Sequence, residues 1–181
     1  MADKAEKNNE EVRIKDFEAV VAEYEGPLLR YTMRLLGNND AAQDVVQDTF
    51  IRLYRTWKDE MKPSSKLATW LYRVAHNCAV DTMRKLRRRE LLHLKHAEEK
   101  GEEVEMPKLT STPEISEAAE KAARALKQLS IREQQLVILK IYEGKSYEEI
   151  SEITGLTKGN VGYILHFAMK KMAEAIKNDR I

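Results

Sequence analysis

Apolar residues recur at helical spacing along most of the chain. From Lys15 they fall three or four positions apart through the segment that ends near Leu36. Stripes of the same period follow in AAQDVVQDTFIRLYRTW (41–57) and LATWLYRVAHNCAVDTMRKLRRRELLHLKHA (67–97). Few runs alternate apolar and polar residues as a half-buried strand does. The pattern therefore predicts a first group of helices over residues 12–96. Residues 1–11 have no apolar anchor and are expected to form a flexible arm.

Residues that break or cap helices divide this first group. Gly26-Pro27 predicts a break or kink, because proline lacks the N–H that a helix interior requires. The run GNND offers a helix stop at Gly37 and an N-cap at Asn39 or Asp40. A polar loop follows the second stripe, and a serine in its SS pair (64–65) is expected to cap the third helix.

The last third of the chain predicts three or four more helices. Their sequences are EISEAAEKAARALKQL (114–129), IREQQLVILKIYEG (131–144), SYEEISEIT (146–154) and a long helix over residues 158–177. Ser130 and Gly144 are the expected cap and stop of the second of these helices. Ser146 and Glu149 fit the S-x-x-E capping box at the start of the third.

The segment SYEEISEITGLTKGNVGYIL is typical of a helix-turn-helix. Gly155 stands at the turn, where its freedom to adopt a left-handed conformation is needed. Apolar residues on both sides of the turn would hold the two helices at a steep angle. The second helix of this motif presents its N-terminal residues to base edges in the major groove. An ordinary helical hairpin is the alternative interpretation of the same pattern.

Charge is distributed in blocks, although the 181-residue chain has a net charge of only +1. Counting Lys and Arg against Asp and Glu gives +5 for residues 70–96, −6 for residues 97–120 and +4 for residues 121–181. The acidic block also carries Pro107, Pro113 and few aromatic residues, which is typical of a linker. The sequence thus predicts an all-α protein with two small helical domains, 12–96 and 113–181, joined by a flexible acidic linker at 97–112.

Several classes of function are disfavoured. The single cysteine, Cys78, lies in an apolar stripe and is expected to be a small buried hydrophobe in a protein with no internal disulfide. The charged N-terminus is unlike a signal peptide, and no apolar run approaches a membrane span, so a cytoplasmic protein is expected. We find no catalytic constellation, cofactor motif or convincing metal-ligand spacing, and therefore expect neither an enzyme nor a metal site.

The densest positive cluster is RKLRRR, residues 84–89. Such a cluster suits DNA phosphates, but a solvated helix C-terminus that favours cations explains it equally well. Trp70 and Tyr72 lie upstream, two positions apart, and cannot both belong to one buried stripe. At least one of these rings is therefore available to stack on an unpaired base, although packing on a neighbouring helix is a fair alternative.

Taken together, these motifs resemble those of an extracytoplasmic-function (ECF) sigma factor, a small specificity subunit of bacterial RNA polymerase. AAQDVVQDTFIRLYR resembles the sigma-2 helix that docks on the clamp coiled coil of the polymerase β′ subunit, with Gln43 where the family usually has Glu. The resemblance assigns core-polymerase binding to Asp44, Gln47, Asp48 and Arg52.

The third stripe resembles the sigma-2 segment that melts and reads the minus-10 element of promoter DNA. Leu67 replaces the usual aromatic residue at its start. The resemblance assigns minus-10 contacts to Trp70, Tyr72, Arg73, Asn77, Asp81, Arg84, Lys85, Arg87 and Arg88.

The second group of helices resembles the sigma-4 domain, which binds the minus-35 element and the polymerase β flap. TPEISEAAE and LSIREQQLVILKIYEGKSYEEISEITGL carry this likeness, with Ser130 in place of a proline. In the last helix, basic family positions have become Gly162, Ile164, Phe167 and Met169. The remaining candidates for minus-35 contacts are Lys158, Asn160, Tyr163, His166, Lys170 and Lys171.

Chemistry suggests roles for these candidates. Asn160 can read adenine, Tyr163 can contact a thymine methyl or a phosphate, and the lysines suit phosphates. Phe167 and Met169 have no role in this scheme. The resemblance also implies an anti-sigma factor as a partner, since family members are often held inactive by one wedged between the two domains.

Two other functions compete with that of a sigma factor. A free-standing helix-turn-helix regulator would use the first domain for dimerisation or ligand binding, but its reading helix has few basic residues. An adaptor that binds a partner through Phe167 and Met169 would leave RKLRRR unexplained.

Overall fold

The protein is described by a computed structural model that covers residues 2–57, 61–100 and 117–178; for residues 2–9, 90–91 and 93–100 it gives only the backbone. Those residues form seven α-helices and no strand, as the apolar periodicity predicts. The helices are α1 (Ala2–Leu36), α2 (Asn39–Thr56), α3 (Ser65–Lys100), α4 (Glu117–Lys127), α5 (Ile131–Val137), α6 (Tyr147–Thr154) and α7 (Lys158–Asn178). A five-residue π-helical turn, Ile138–Tyr142, continues α5.

Helices α1, α2 and α3 pack against one another and form the N-terminal module. Each contributes one apolar stripe to a common core, and the stripes are those that the periodicity predicts. The buried side chains of this core include Val20, Leu28, Tyr31, Val45, Phe50, Leu53, Leu67, Leu71 and Ala75. The cap of α2 is Asn38 rather than Asn39 or Asp40, and Ser64 caps α3 through its Oγ, which accepts from the Leu67 N–H.

Helix α1 differs from the sequence prediction at two places. It runs through Pro27 without ending, because Val20 before the proline and Leu28 after it are both fully buried in the same module. That packing outweighs the ~3 kcal/mol that an interior proline costs a helix. The helix also begins at Ala2, so the segment predicted as an arm, residues 1–11, is helical from residue 2. Alanine, lysine and glutamate dominate this segment, and all three favour helix.

Helices α4 to α7 form the C-terminal module around a second part of the core. Its fully buried side chains include Leu136, Val137, Ile138, Leu139, Ile150, Ile153, Val161 and Ala168. Both predicted serine caps are present, and each belongs to a complete capping box. Ser130 pairs with Glu133 at the start of α5, and Ser146 pairs with Glu149 at the start of α6.

The boundary between the modules is shifted relative to the predicted one. Helix α3 continues to Lys100, so residues 97–100 of the predicted linker are helical. The charged residues there include Glu98, Glu99 and Lys100, which are good helix formers and extend a helix already nucleated upstream. The rest of the linker, and residues 113–116 of the predicted second domain, lie outside the described residues.

The turn between α6 and α7 has the helix-turn-helix geometry. Gly155 adopts φ 72° and ψ 11°, and its N–H donates to the Ser151 carbonyl, so it ends α6 in the left-handed conformation. Ile150 and Ile153 on α6 and Val161 and Leu165 on α7 are buried on either side of the turn. The predicted role of Gly155 is therefore confirmed. No described helix is long and apolar enough to cross a membrane.

Replacing Gly155 with alanine should destabilise the fold. A Cβ would meet open space there, so only the left-handed backbone, which costs an L-residue ~1 to 2 kcal/mol, opposes the change. Gly159→Ala is the matched control, because Gly159 is helical and equally open. It should raise stability by up to ~1 kcal/mol. Urea unfolding of both variants measures the difference, and an equal effect on the two would contradict the assigned turn.

Candidate nucleic-acid interface

One face of α3 carries a continuous stripe of polar and charged side chains. The stripe is made of Trp70, Arg73, Asn77, Asp81, Arg84 and Arg88, which recur at three- and four-residue intervals. All are exposed except Trp70, which is half-buried. Lys85 and Arg87 flank the stripe and are also exposed, and Asp81 pairs with Arg84 at 3.2 Å. Eight of the nine predicted minus-10 residues therefore lie on or beside one outward surface.

The Trp70 ring lies at the N-terminal end of this stripe. It packs edge-to-face on Trp57, which follows α2, with ring centroids 5.5 Å apart. The Lys66 ammonium lies 5.8 Å from the centroid of the Trp57 ring. One side of the indole is thus supported by the module, while the half-buried ring still reaches solvent, as a stacking platform for a base would.

Tyr72, the ninth predicted minus-10 residue, does not share this surface. Its side chain points to another face of α3 and is only 4% exposed, because the C-terminal module covers it. The Tyr72 hydroxyl donates to Glu143 Oε2 at 2.7 Å. Burial and this carboxylate raise the pKa of the Tyr72 phenol. In this arrangement Tyr72 contacts protein, and a role in reading DNA requires that the C-terminal module moves away.

Glu143 joins the two modules. Its side chain is 8% exposed and accepts hydrogen bonds from Tyr72 on α3 and, at 3.2 Å, from Arg34 on α1. The π-helical turn sets its position, since the Glu143 N–H donates back to the Ile138 carbonyl at 3.1 Å. Arg34 also stacks on Tyr142, 4.6 Å from the ring centroid. The buried carboxylate is therefore compensated by one cation and one hydroxyl from the opposite module.

A second buried polar pair lies next to this junction. The hydroxyl of Tyr31, which is fully buried, lies 2.8 Å from His76 Nδ1. Burial lowers the pKa of His76 to about 4, and the positive charge of Arg132 on α5 contributes a smaller part of this shift. His76 is accordingly neutral near pH 7, and its Nδ1 shares a hydrogen bond with the Tyr31 hydroxyl. This pair anchors α3 to α1 beneath the surface that meets the C-terminal module.

The exposed face of α2 carries the four residues predicted to bind core polymerase, Asp44, Gln47, Asp48 and Arg52. Asp48 and Arg52 line a groove between α2 and α3. A second groove lies between α1 and α2. Phe17, Val21 and Ile51 are among the apolar residues that line it, and Asp44 and Gln47 lie at its edge. Ile51 is 40% exposed. This face thus combines an apolar channel with a charged rim, as protein interfaces commonly do.

The outward face of α7 carries the six residues predicted to contact the minus-35 element, and all six are exposed. Two of its lysines already have partners within the module. Lys158 Nζ lies 2.7 Å from Glu148, and Lys171 Nζ lies 2.6 Å from Glu133. Asn160, His166 and Lys170 project beside a pair of aromatic rings, Tyr163 and Phe167.

Sequence reasoning missed Glu143 and Arg34, which are 109 residues apart. No local pattern links them, and their pairing depends on how the modules meet. The sequence analysis also assigned no role to Phe167, which lies in the centre of the exposed α7 face. Among the residues whose side chains are described, no group of His, Cys, Asp and Glu could hold a metal ion.

Comparison with known proteins adds two family matches. Residues 20–89 match the family described as Sigma-70 region 2, and residues 119–172 match the family described as Sigma-70, region 4. The first range includes the stripe of α3, and the second includes the helix-turn-helix.

Individual relatives show the same similarity over most of the chain. The chain is 28% identical over 156 residues to the ECF RNA polymerase sigma factor SigL of Mycobacterium tuberculosis, with 85% of each chain covered. It is 26% identical over 168 residues to the ECF RNA polymerase sigma factor SigW of Bacillus subtilis, covering 90% of this chain and 89% of the relative. Its fold resembles that of the sigma factor RpoE, solved with the anti-sigma factor NepR from Bartonella quintana. That match has a TM-score of 0.68 and 26% identity, over 90% of this chain and 98% of RpoE.

The contact between Tyr72 and Glu143 can be measured by a double-mutant cycle. We expect a coupling energy of ~1 to 2 kcal/mol in the free energy of unfolding between Tyr72→Phe and Glu143→Ala. Either substitution alone already removes the hydrogen bond, so the double variant loses less than the sum of the two single variants. Combining Tyr72→Phe with Glu174→Ala, an exposed acid on α7, should be additive and is the control. Coupling near zero for both pairs would mean that the modules do not meet as described.

Proposed function

The chain belongs to the ECF sigma factors of the sigma-70 family, and from that premise we propose which of its surfaces bind core RNA polymerase and which read promoter DNA. As a sigma factor it binds core polymerase and directs promoter recognition and transcription initiation. Sigma factors are not enzymes, so the chemistry of RNA synthesis belongs to the polymerase. We place the protein in the cytoplasm with the polymerase.

The α3 stripe is the proposed surface for the minus-10 element. The observation that carries this assignment is that Trp70, Asn77 and Arg84 share one exposed helix face with basic residues on both sides. Arginine and lysine bind the phosphates and fix the register of the DNA. The half-exposed indole of Trp70, backed by Trp57, offers a ring on which an unpaired base can stack. Tyr72 points to another face of α3 and is not part of this surface.

The α2 face and its groove are the proposed surface for core polymerase. Asp44 and Gln47 form a polar rim beside the apolar channel between α1 and α2. Asp48 extends the charged face of α2 toward α3. A helix of the β′ clamp coiled coil would place apolar side chains in the channel and basic side chains against the rim. This combination accounts for an exposed Ile51 next to exposed carboxylates.

The two modules have to separate for both promoter elements to be bound. Positions −10 and −35 lie about 25 base pairs apart, which is ~85 Å at ~3.4 Å per base pair. The longest helix of the chain, α3, has 36 residues and spans ~54 Å. With Glu143 bound to Tyr72 and Arg34, the α7 face is held in one body with the α3 stripe, and no described helix is long enough to span that separation. The closed arrangement is therefore proposed to be the inactive one.

An anti-sigma factor is the proposed regulatory partner. RpoE, which the chain resembles, was solved with the anti-sigma factor NepR. A partner wedged between the two modules of this chain would replace the contact at Glu143 and cover Tyr72 in place of the C-terminal module. Binding of such a partner and binding of core polymerase would then exclude each other.

Charge reversal on α2 tests the polymerase surface. Asp48→Lys should weaken binding to core polymerase at least tenfold. The introduced lysine would face basic side chains of the polymerase, and opposing like charges cost roughly several kcal/mol. Glu11→Lys, the same change at an exposed acid of α1, should bind within about twofold of wild type. Co-elution with core polymerase and run-off transcription from promoter-containing genomic DNA measure both variants.

The same experiment separates the sigma factor from a free-standing regulator. The wild-type chain should give specific transcripts only together with core polymerase. A chain that never co-elutes with core polymerase, but binds duplex DNA alone at physiological salt, would be a free-standing helix-turn-helix regulator instead.

A further inference from the structure

The centre of the α7 face is aromatic. Tyr163 is 66% exposed and Phe167 is 41% exposed, and their ring centroids lie 4.7 Å apart. They are four residues apart and hence neighbours on one side of the helix. His166 meets the edge of Phe167 at 5.3 Å, with an interplanar angle of 87°. The three rings form a continuous surface, which we call the aromatic face.

One glycine, Gly159, leaves the N-terminal end of this face bare, and a second, Gly162, lies beside α6. Gly159 stands four residues before Tyr163, and a Cβ at Gly159 would meet nothing within 4 Å. Helical side chains lean toward the N-terminus over the preceding turn, so the Tyr163 ring leans over a position that has no side chain. Gly162 faces the ring of Tyr147, 3.5 Å from where its Cβ would lie. The helix backbone can therefore approach a ligand closely at its N-terminal end.

Two lysines at the borders of this face form ion pairs with acids of the same module. Lys171 is held by Glu133, a nearly buried acid of the Ser130 capping box, and releasing it would leave that carboxylate without a cation. Lys158 pairs with Glu148 at the other edge. Lys170 and Asn160 are the polar groups that border the rings. The face thus offers few charges and a large apolar contact area.

We propose that Tyr163 and Phe167 read the 5-methyl groups of thymines in the major groove of the minus-35 element. This inference rests on the proposed function, since it assumes that α7 is the reading helix of a sigma factor. Thymine is the only base that presents a methyl group in the major groove, and aromatic and other apolar side chains contact it. The aromatic pair therefore selects a thymine-containing element, where basic residues would have favoured guanine.

The helix-turn-helix geometry favours DNA over a protein as the occupant of the aromatic face. The pair lies in the second and third turns of α7, on the side opposite its buried residues Val161, Leu165 and Ala168. That is the side which the second helix of the motif turns toward the groove. Asn160 is placed to add a hydrogen bond to an adenine next to the thymines.

The experiment removes the methyl groups from the DNA. Holoenzyme, assembled from core polymerase and the full chain, first selects its element from a promoter library randomised at minus-35. Each selected thymine is then replaced by uracil, which differs only in lacking the methyl group. We expect the affinity of the wild-type holoenzyme for the DNA to fall about fourfold when uracil stands at one or two of these positions. Burial of one apolar carbon contributes about that factor to affinity. Uracil outside the element should change nothing.

Variants of the chain identify the side chains. Holoenzyme that carries Phe167→Ala or Tyr163→Ala should bind the thymine and uracil templates with equal affinity at the position that the missing ring reads. Lys170→Ala is the control, because loss of a phosphate contact should weaken binding to both templates by the same factor and leave the preference for thymine intact.

The outcomes separate this inference from the function on which it rests. Equal binding of thymine and uracil by the wild-type holoenzyme would overturn methyl reading, although promoter-specific transcription would continue. If Phe167→Ala then impaired only the binding of a protein partner, the aromatic face would be a protein surface. If the chain gave no specific transcript with core polymerase, the proposed sigma-factor function itself would be wrong.

Discussion

The arrangement of the whole molecule depends on one buried carboxylate, that of Glu143. A carboxylate that is 8% exposed is stable only with compensating partners, and both of its partners belong to the other module. Tyr72 supplies a hydroxyl from α3, and Arg34 supplies a guanidinium from α1. The ammonium of Lys145 lies 4.1 Å from the Tyr72 ring centroid and covers the same side of the junction. Because the π-helical turn sets the position of Glu143, a local irregularity in the C-terminal module determines how the two modules meet.

This junction decides which surfaces are available. It covers Tyr72 and leaves the α2 face and the aromatic face of α7 open. The α3 stripe is exposed, but Asn77, Asp81 and Arg84 border a cleft whose opposite wall includes Arg132 of α5. The contact is polar, and water and other polar groups can replace its hydrogen bonds. The net free energy that it contributes is therefore modest compared with the gross strength of its bonds. A contact of this kind suits a protein whose modules must stay together in the free chain and part on the promoter.

The fold could be predicted from the sequence where local physics determines it. The apolar stripes of α2 and α3, the capping boxes at Ser130 and Ser146, and the turn at Gly155 all follow from residue type and spacing. The continuation of α1 through Pro27 did not follow, because tertiary packing overrides propensity there. The exposure of the α3 stripe was likewise predictable, whereas the burial of Tyr72 and the role of Glu143 were not. Both depend on residues more than seventy positions away.

The free chain, closed at Glu143, is expected to open when the holoenzyme binds a promoter. Pulsed electron spin resonance tests it most directly, with nitroxide labels on cysteines introduced at Glu23 of α1 and Glu174 of α7 and with Cys78 replaced by alanine. We expect one short, narrow distance distribution in the free chain and a shift by tens of ångströms in the promoter complex. The same distribution in both states would contradict it.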